Sequence, residues 1–263
     1  MSIYRKVLLT YLDILGFREL IRQSALDASK VHEILNILRI AKRKGTRGIA
    51  AADSEGGTKT ITRAVNFSDL ILRITYIDQA SDLIVRLNME LMKLAGIQCE
   101  LTSQYGILLR GAISLGALYD NDDFVFGPAL VNSYELEERT AVFPRIVIAS
   151  DLVEATTKET AQVWPSLVRR GEDAAYFVDY LYAGAQSKPG GFFSTGFNAA
   201  SSLIKGHQIM IADKLVHTKG ERSRQKVLWT ALYHNSVVDR LQHEQSSGST
   251  NWAELRIAGE KIE

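Results

Sequence analysis

Two strand-like runs that meet an aspartate set the limits on what this chain can fold into. Val7–Leu12 is largely apolar and runs straight into Asp13, the pattern of a strand buried on both faces. Asn66-Phe-Ser-Asp69 is a polar turn between Thr58–Val65 and Leu70–Tyr76, which predicts a β-hairpin with Asp69 at its tip. A sheet can set Asp13 and Asp69 side by side although they are far apart in sequence. Two carboxylates with no protein cation beside them repel, and one must take up a proton. Divalent cations remove that conflict: Mg²⁺ or Mn²⁺ takes hard oxygen ligands and leaves positions for phosphate oxygens. Taken singly, each aspartate reads as a cap on a strand-end turn.

The residues after Asp13 raise the pair above that reading. Ile14-Leu-Gly-Phe17 predicts a tight strand-to-helix turn, in which Gly16 permits a positive φ and close backbone approach. The helix after it offers unpaired N–H groups to a phosphate. A metal ligand followed directly by an anion cradle is the layout of a nucleotide site.

The rest of the pattern surrounds these two segments with a sheet. Leu20, Ile21, Val31, Ile34, Leu35 and Leu38 recur at helical spacing through Arg18–Lys44. Gly45–Thr58 is a polar, glycine-rich excursion, a lid or a loop. A second helix is predicted from Gln79 to Leu94, extended by Ile97–Gln104. Strands follow at Ile107–Leu115 and Phe124–Phe126, the latter ended by Gly127-Pro128. Pro128 suits the first turn of a helix over Ala129–Arg139, and Arg145–Ala149 is the next strand. The order β-α-β-β-α-β-β-α-β predicts an α+β fold: a ferredoxin-like core of mixed strand direction, helices mainly on one face, with additions. Beyond Ser150 the periodicity weakens. Ala175–Tyr182 reads as a strand, Ser187–Gly196 as a loop, and Asn198–His217 and Gly220–Gln242 as helices. Residues 5–150 are therefore expected to form the core, and 151–263 a C-terminal, helix-rich extension of the same domain.

Composition narrows the class of protein. A chain of 263 residues at 46% hydrophobic content supports one large core. A net charge of +1 gives no basic arm for nucleic acid or for a membrane surface. No apolar run approaches the ~18 residues of a membrane span. Cys99 is the single cysteine, so no internal disulfide forms, and the five histidines show no zinc spacing. The N-terminus has no signal-peptide layout. A cytoplasmic protein is the expectation.

Four segments, in order, resemble the class III nucleotide cyclases: Asp13-Ile-Leu-Gly-Phe17, Phe67-Ser-Asp69, Arg110-Gly-Ala-Ile-Ser-Leu-Gly116, and Phe124 through Glu137. Their wording, with Lys226-Val-Leu-Trp-Thr-Ala-Leu-Tyr-His-Asn235, is similar to the bacterial pyrimidine cyclases of anti-phage (Pycsar) systems. The resemblance implies a class III cyclase core that converts UTP or CTP to the 3′,5′-cyclic monophosphate and diphosphate, with UTP favoured. It implies two Mn²⁺ or Mg²⁺ ions held by Asp13, Asp69 and the carbonyl of Ile14, and phosphates cradled by the amides of Leu15, Gly16 and Phe17. It further implies a homodimer with its sites at the interface, and a separate effector protein that detects the cyclic nucleotide.

Purine cyclases carry polar base readers where this chain has Val65 and Phe124. Neither can hydrogen-bond a purine, and a site built on such bonds discriminates by roughly 10⁴–10⁵. Asn132 stands one position from the family's ribose-contacting asparagine. Four residues after it comes Leu136 rather than arginine. Arg110 is the first choice for the missing cation, with Arg139 or a residue of a second subunit as the others; Tyr134 is a site or a packing residue. Two other classes compete. A different metal-dependent nucleotidyl enzyme lacks support, because neither G-G-[DE]-E-F nor a Walker A loop is present. A nucleotide-sensing module that has kept the fold without catalysis is the third.

Overall fold

β1 (Arg5–Ile14) alternates between two buried environments, and the fold is arranged around it. Leu8, Leu12 and Ile14 join one hydrophobic cluster with Leu87, Leu91 and Leu94. Val7 and Leu9 join another with Ala129. A strand whose successive side chains point to opposite faces can do this only at the centre of a sheet covered on both sides. In the computed structural model, which describes residues 3–43, 62–160, 167–186, 200–244 and 250–258, β1 is that central strand.

It pairs antiparallel with β3 (Leu70–Tyr76) on one side and β4 (Leu109–Asp120) on the other. β2 (Thr62–Phe67) pairs antiparallel with β3. Helices α1 (Phe17–Ser24) and α2 (Ser29–Ala41) connect β1 to β2, and α3 (Asp82–Tyr105) connects β3 to β4. The four strands lie in the order β2-β3-β1-β4, which is the ferredoxin-like arrangement expected from the sequence. β5 (Val125–Phe126) folds back on the far end of β4, and α4 (Pro128–Thr140) returns across the face opposite α3.

The sheet then continues. β6 (Ile146–Ile148) lies parallel to β4, and α5 (Ser150–Thr160) leads towards β7 (Val168–Arg170) and β8 (Tyr176–Val178). Among the described residues the full sheet runs β2-β3-β1-β4-β6-β8-β7. α6 (Tyr180–Gln186), α7 (Ala200–His217), α8 (Glu221–Glu244) and a 3₁₀ helix at Trp252–Leu255 complete the fold. Leu203, Tyr233 and Val238 of the last helices share one cluster with α3 and β1.

Several boundaries differ from those expected, each for a local reason. The single helix over Arg18–Lys44 is two, because the Asp27 carboxylate accepts a hydrogen bond from the Ser29 amide at 2.9 Å and restarts the helix. The pieces Gln79–Leu94 and Ile97–Gln104 are one helix, α3, ended by Gly106 at φ 62°. The strand at Ala175–Tyr182 stops at Val178; Asp179 is buried, accepts the Tyr233 hydroxyl at 2.7 Å, and its carbonyl takes the amide of Ala183 to open α6. α5 and β7 occupy the stretch of weak periodicity after Ser150. Gly45–Thr58 and Ser187–Gly196 lie outside the described residues.

Two buried polar networks tie these elements together. Arg73 of β3 is fully buried and forms a forked pair with Glu90 of α3, Nε to Oε1 at 2.6 Å and a terminal nitrogen to Oε2 at 2.9 Å. It also donates to the carbonyls of Ala41 and Arg43 at the end of α2, while Thr10 of β1 donates to Glu90. Burial pushes the Glu90 carboxyl upward, but Arg73 outweighs it and holds the group below its usual range. The second network is a relay. The Leu255 carbonyl can only accept, so His234 Nε2 donates to it at 2.7 Å. His234 Nδ1 then accepts from His207 Nδ1 at 3.0 Å, and His207 Nε2 accepts from the Tyr180 hydroxyl at 2.8 Å. Four C-terminal elements are thereby fixed to one another.

Both networks are testable. Glu90→Gln leaves the Arg73 charge buried without its counterion and lowers stability by about 3–5 kcal/mol in denaturant unfolding. Burial lowers both histidines below 6.5 in the folded state. The unfolded chain therefore binds more protons just below pH 6.5, and this pair contributes a loss of stability as pH falls from there. In NMR titration both rings take up their proton at lower pH than a free imidazole.

Candidate functional site

The end of β1 gathers the site. Asp13 is in register with Leu70 of β3 on one side and with Arg110 of β4 on the other. The Ile14 amide donates to the Asp69 carbonyl at 3.3 Å, which seats the β2–β3 turn on the end of β1. Ser68 supplies that turn with φ 57°. The two aspartates are thus brought to neighbouring strand ends by backbone pairing.

Beyond Ile14 the chain turns into α1. Gly16 has φ 82° and ψ 5°, a left-handed cap that disfavours a side chain. A Cβ built there meets nothing within 4 Å, so the space in front of the helix is open. Gly16 O accepts the amides of Glu19 and Leu20. The Leu15 amide is already given to the Leu108 carbonyl at 3.0 Å. Of the three amides expected to cradle a phosphate, those of Gly16 and Phe17 therefore stand at the head of α1, and that of Leu15 holds β1 to the residue before β4.

Odd-numbered residues of β1 face α4, and so does the chemistry. Arg110 Nε donates to Asp13 Oδ2 at 2.7 Å. Glu137, buried on α4, brings Oε1 to 2.7 Å from the same nitrogen. That N–H points to Asp13, so Glu137 Oε1 has a charge contact but no hydrogen bond. Burial works against the Arg110 charge, yet Asp13 and Glu137 outweigh it and hold the guanidinium above its ordinary value. Burial raises the Glu137 carboxyl, opposed by Arg110. Tyr11, two residues before Asp13, is raised by burial and then by Glu137 and Asp13. Lys226 of α8 senses Arg110, Asp13 and Glu137 and is lowered first by burial.

The other expected residues fall elsewhere. Val65 of β2 is half-buried, in register with Leu72, which is in turn in register with Tyr11. Asn132 is exposed on α4. Arg139 is exposed and pairs with Glu135 on its own helix. Tyr134 packs edge-on against Tyr11 at 6.0 Å. Phe124, 62% exposed, sits beside β5 at the Asp120 end of β4. That is ten residues along β4 from Arg110, roughly 30 Å at ~3.3 Å per residue. Within one chain, Phe124 and Asp13 do not share a site.

Glu137, Tyr11 and Lys226 are additions that sequence reasoning did not single out. Glu137 carried a signal: Ala129, Ser133 and Glu137 recur every four residues, and all three are buried. An acid on the buried stripe of a helix calls for a cation. Lys226 had no such signal, since α8 reaches the site only through tertiary packing.

No protein-family model and no curated protein matches the chain. Among solved structures, the adenylyl cyclase CyaB from P. aeruginosa is similar at a TM-score of 0.39 and 13% identity, over 66% of this chain and 94% of that one. An adenylate/guanylate cyclase/hydrolase from Silicibacter pomeroyi is similar at a TM-score of 0.37 and 18% identity, over 66% and 95%.

The Gly16 cap makes a clean prediction. Gly16→Ala clashes with nothing but must hold φ near 82°, so it lowers stability by about 1–2 kcal/mol in thermal or denaturant unfolding.

Proposed function

We propose that this protein is a pyrimidine nucleotide cyclase that converts UTP to 3′,5′-cyclic UMP and diphosphate, a signal read by a separate effector protein in anti-phage defence. The observation that carries the reading is the convergence of Asp13 and Asp69 at neighbouring strand ends, directly ahead of the open, Gly16-capped N-terminus of α1. The four-segment resemblance to class III cyclases supports the choice of reaction.

Divalent cations fit the donors present. Asp13 and Asp69 are hard oxygen donors, and one or two carboxylates completed by substrate phosphates is the ordinary Mg²⁺ arrangement. Among the described residues no group of three or more His, Cys, Asp or Glu gathers as a metal site. Asp13, Asp69 and the Ile14 carbonyl would hold two Mn²⁺ or Mg²⁺ ions. Bound there, the metal would supply charge neutralisation and acidify the ribose hydroxyl.

The protein's own groups do the positioning. In the reaction the 3′-oxygen bonds to the α-phosphorus, the bond to diphosphate breaks, and the hydroxyl proton is released. The amides of Gly16 and Phe17 and the dipole of α1 face the phosphates. Arg110 balances charge beside Asp13, and Glu137 and Asp13 fix its direction. Catalysis of this kind rests on placement and electrostatics. Val65 and Phe124 offer a base no hydrogen bond from their side chains, which leaves purine recognition without support.

The active form is a homodimer in this reading. The distance along β4 between Phe124 and Asp13 separates base and metal positions within one chain, and a second copy would bring its own Phe124 end to the first copy's Asp13. Phe67, Phe124, Val131 and Tyr134 are exposed apolar side chains available for such a contact. Among the described residues no helix is long and apolar enough to cross a membrane. A second reading, a nucleotide sensor without turnover, is favoured by one observation: Arg110 is held by Asp13 and Glu137 rather than directed at open space.

Purified protein with Mn²⁺ and each of ATP, GTP, CTP and UTP, with products identified by mass spectrometry, decides among these. Cyclic UMP is expected. Cyclic CMP would reassign the base, and binding without product would favour the sensor. Asp13→Ala and Asp69→Ala each reduce turnover by ~10³-fold or more, since several kcal/mol of charge stabilisation is lost, while the folded state persists by circular dichroism.

A further inference from the structure

We infer that Lys226, on the C-terminal helix α8, is a substrate-binding residue whose ammonium takes a phosphate oxygen of the polyphosphate chain. The inference rests on the proposed reading that the Asp13 end of β1 binds a nucleoside triphosphate.

Its position is fixed by two residues that follow it on α8. Val227, the next residue, shares a hydrophobic cluster with Leu108 and packs with Leu15. Those are the two residues whose backbones join the end of β1 to the start of β4. Trp229, nearly one turn on, stacks on Phe143 at 5.5 Å with the rings 4° from parallel. Phe143 follows α4, the helix that carries Glu137. α8 is therefore held against both walls of the site just after Lys226, and the two contacting residues flank it around the helix axis. From there it interacts electrostatically with Asp13, Arg110 and Glu137, which come from three other elements.

Lys226 is half-buried, and among the described residues its ammonium makes no hydrogen bond and no ion pair. Asp13 accepts the Arg110 N–H at 2.7 Å, and Glu137 Oε1 lies at the same distance from that nitrogen without a hydrogen bond. Arg222, one turn earlier on α8, adds a second positive charge on the same approach. Burial and the Arg110 charge act against the Lys226 ammonium, and Asp13 and Glu137 offset them only in part. A polyanion completes the offset. Phosphates at the head of α1 would meet the helix amides from one side and the ammonium from the other, as a compact point charge suits.

The C-terminal extension thereby gains a part in the chemistry. α8 is a wall of the phosphate pocket as well as a packing element, and its relay of buried histidines fixes the wall in place.

The test is titration calorimetry on the full chain with inorganic triphosphate, with a UTP analogue carrying a methylene between the α and β phosphates, and with uridine. Lys226→Met keeps the aliphatic stem and removes the charge. Loss of one charged hydrogen bond weakens inorganic triphosphate and the analogue by about 10- to 100-fold. Uridine binding is unchanged, and Lys226→Arg recovers most of the loss. Wild-type affinity for both phosphate ligands in a folded Lys226→Met protein overturns the assignment and leaves the cyclase reading standing. A Lys226-dependent triphosphate site in a protein that forms no cyclic product does the reverse. Wild-type protein that binds no phosphate ligand overturns both. Should Lys226→Met unfold, Lys226→Gln set against Lys226→Arg carries the same comparison.

Discussion

The forked pair of Arg73 and Glu90 is the interaction on which the rest depends. It sits inside the layer between sheet and helices, with Arg73 fully buried. The arginine of β3 meets the acid of α3, the carbonyls at the end of α2 and, through Glu90, the hydroxyl of Thr10 on β1. Two strands and two helices are thus held in one relative arrangement. An apolar core fills space but tolerates sliding; a buried, fully hydrogen-bonded ion pair does not, because any shift strands a charge away from water. β1 and β3 are fixed in register as a result, and that register is what places Asp13 opposite Leu70 and next to Asp69.

A second ion-pair system, on the opposite face, serves the site instead of the core. Arg110 lies between Asp13 and Glu137 with part of its surface open to water. The contrast with Arg73 is one of burial and saturation. Arg73 has its donors spent on four acceptor oxygens, whereas the Nε–H of Arg110 goes to Asp13 and leaves Glu137 Oε1 without a hydrogen bond. The first arrangement is closed. The second leaves an acceptor oxygen unspent, so its partners can rearrange when a ligand enters.

Much of this was legible in the chain. The alternation of β1, the hairpin at Asn66–Asp69, the Gly16 turn and the Pro128 helix start are local signals, and each appears where sequence pattern predicts it. The split of the first helix at Asp27 and the helical turn after Asp179 were not legible. Each is decided by a side-chain hydrogen bond or by packing that propensity does not see. After Ser150 the strands are three residues long, too short for a period to show.

The sequence by itself determined the ferredoxin-like core, the two strand-end aspartates and the glycine that opens the helix after the first of them. These follow from periodicity and from the conformational demands of single residues, which act over a few positions. Only the tertiary structure decided what surrounds Asp13. Arg110 comes to it by strand register, Glu137 by the return of α4 across the sheet, and Lys226 by the seating of α8 on Leu15 and Phe143. It also decided that Phe124 lies at the far end of β4 from Asp13. The reason is physical: charge–charge neighbours are set by distances through space, and a chain's local pattern fixes which elements form without fixing which side chains they bring face to face.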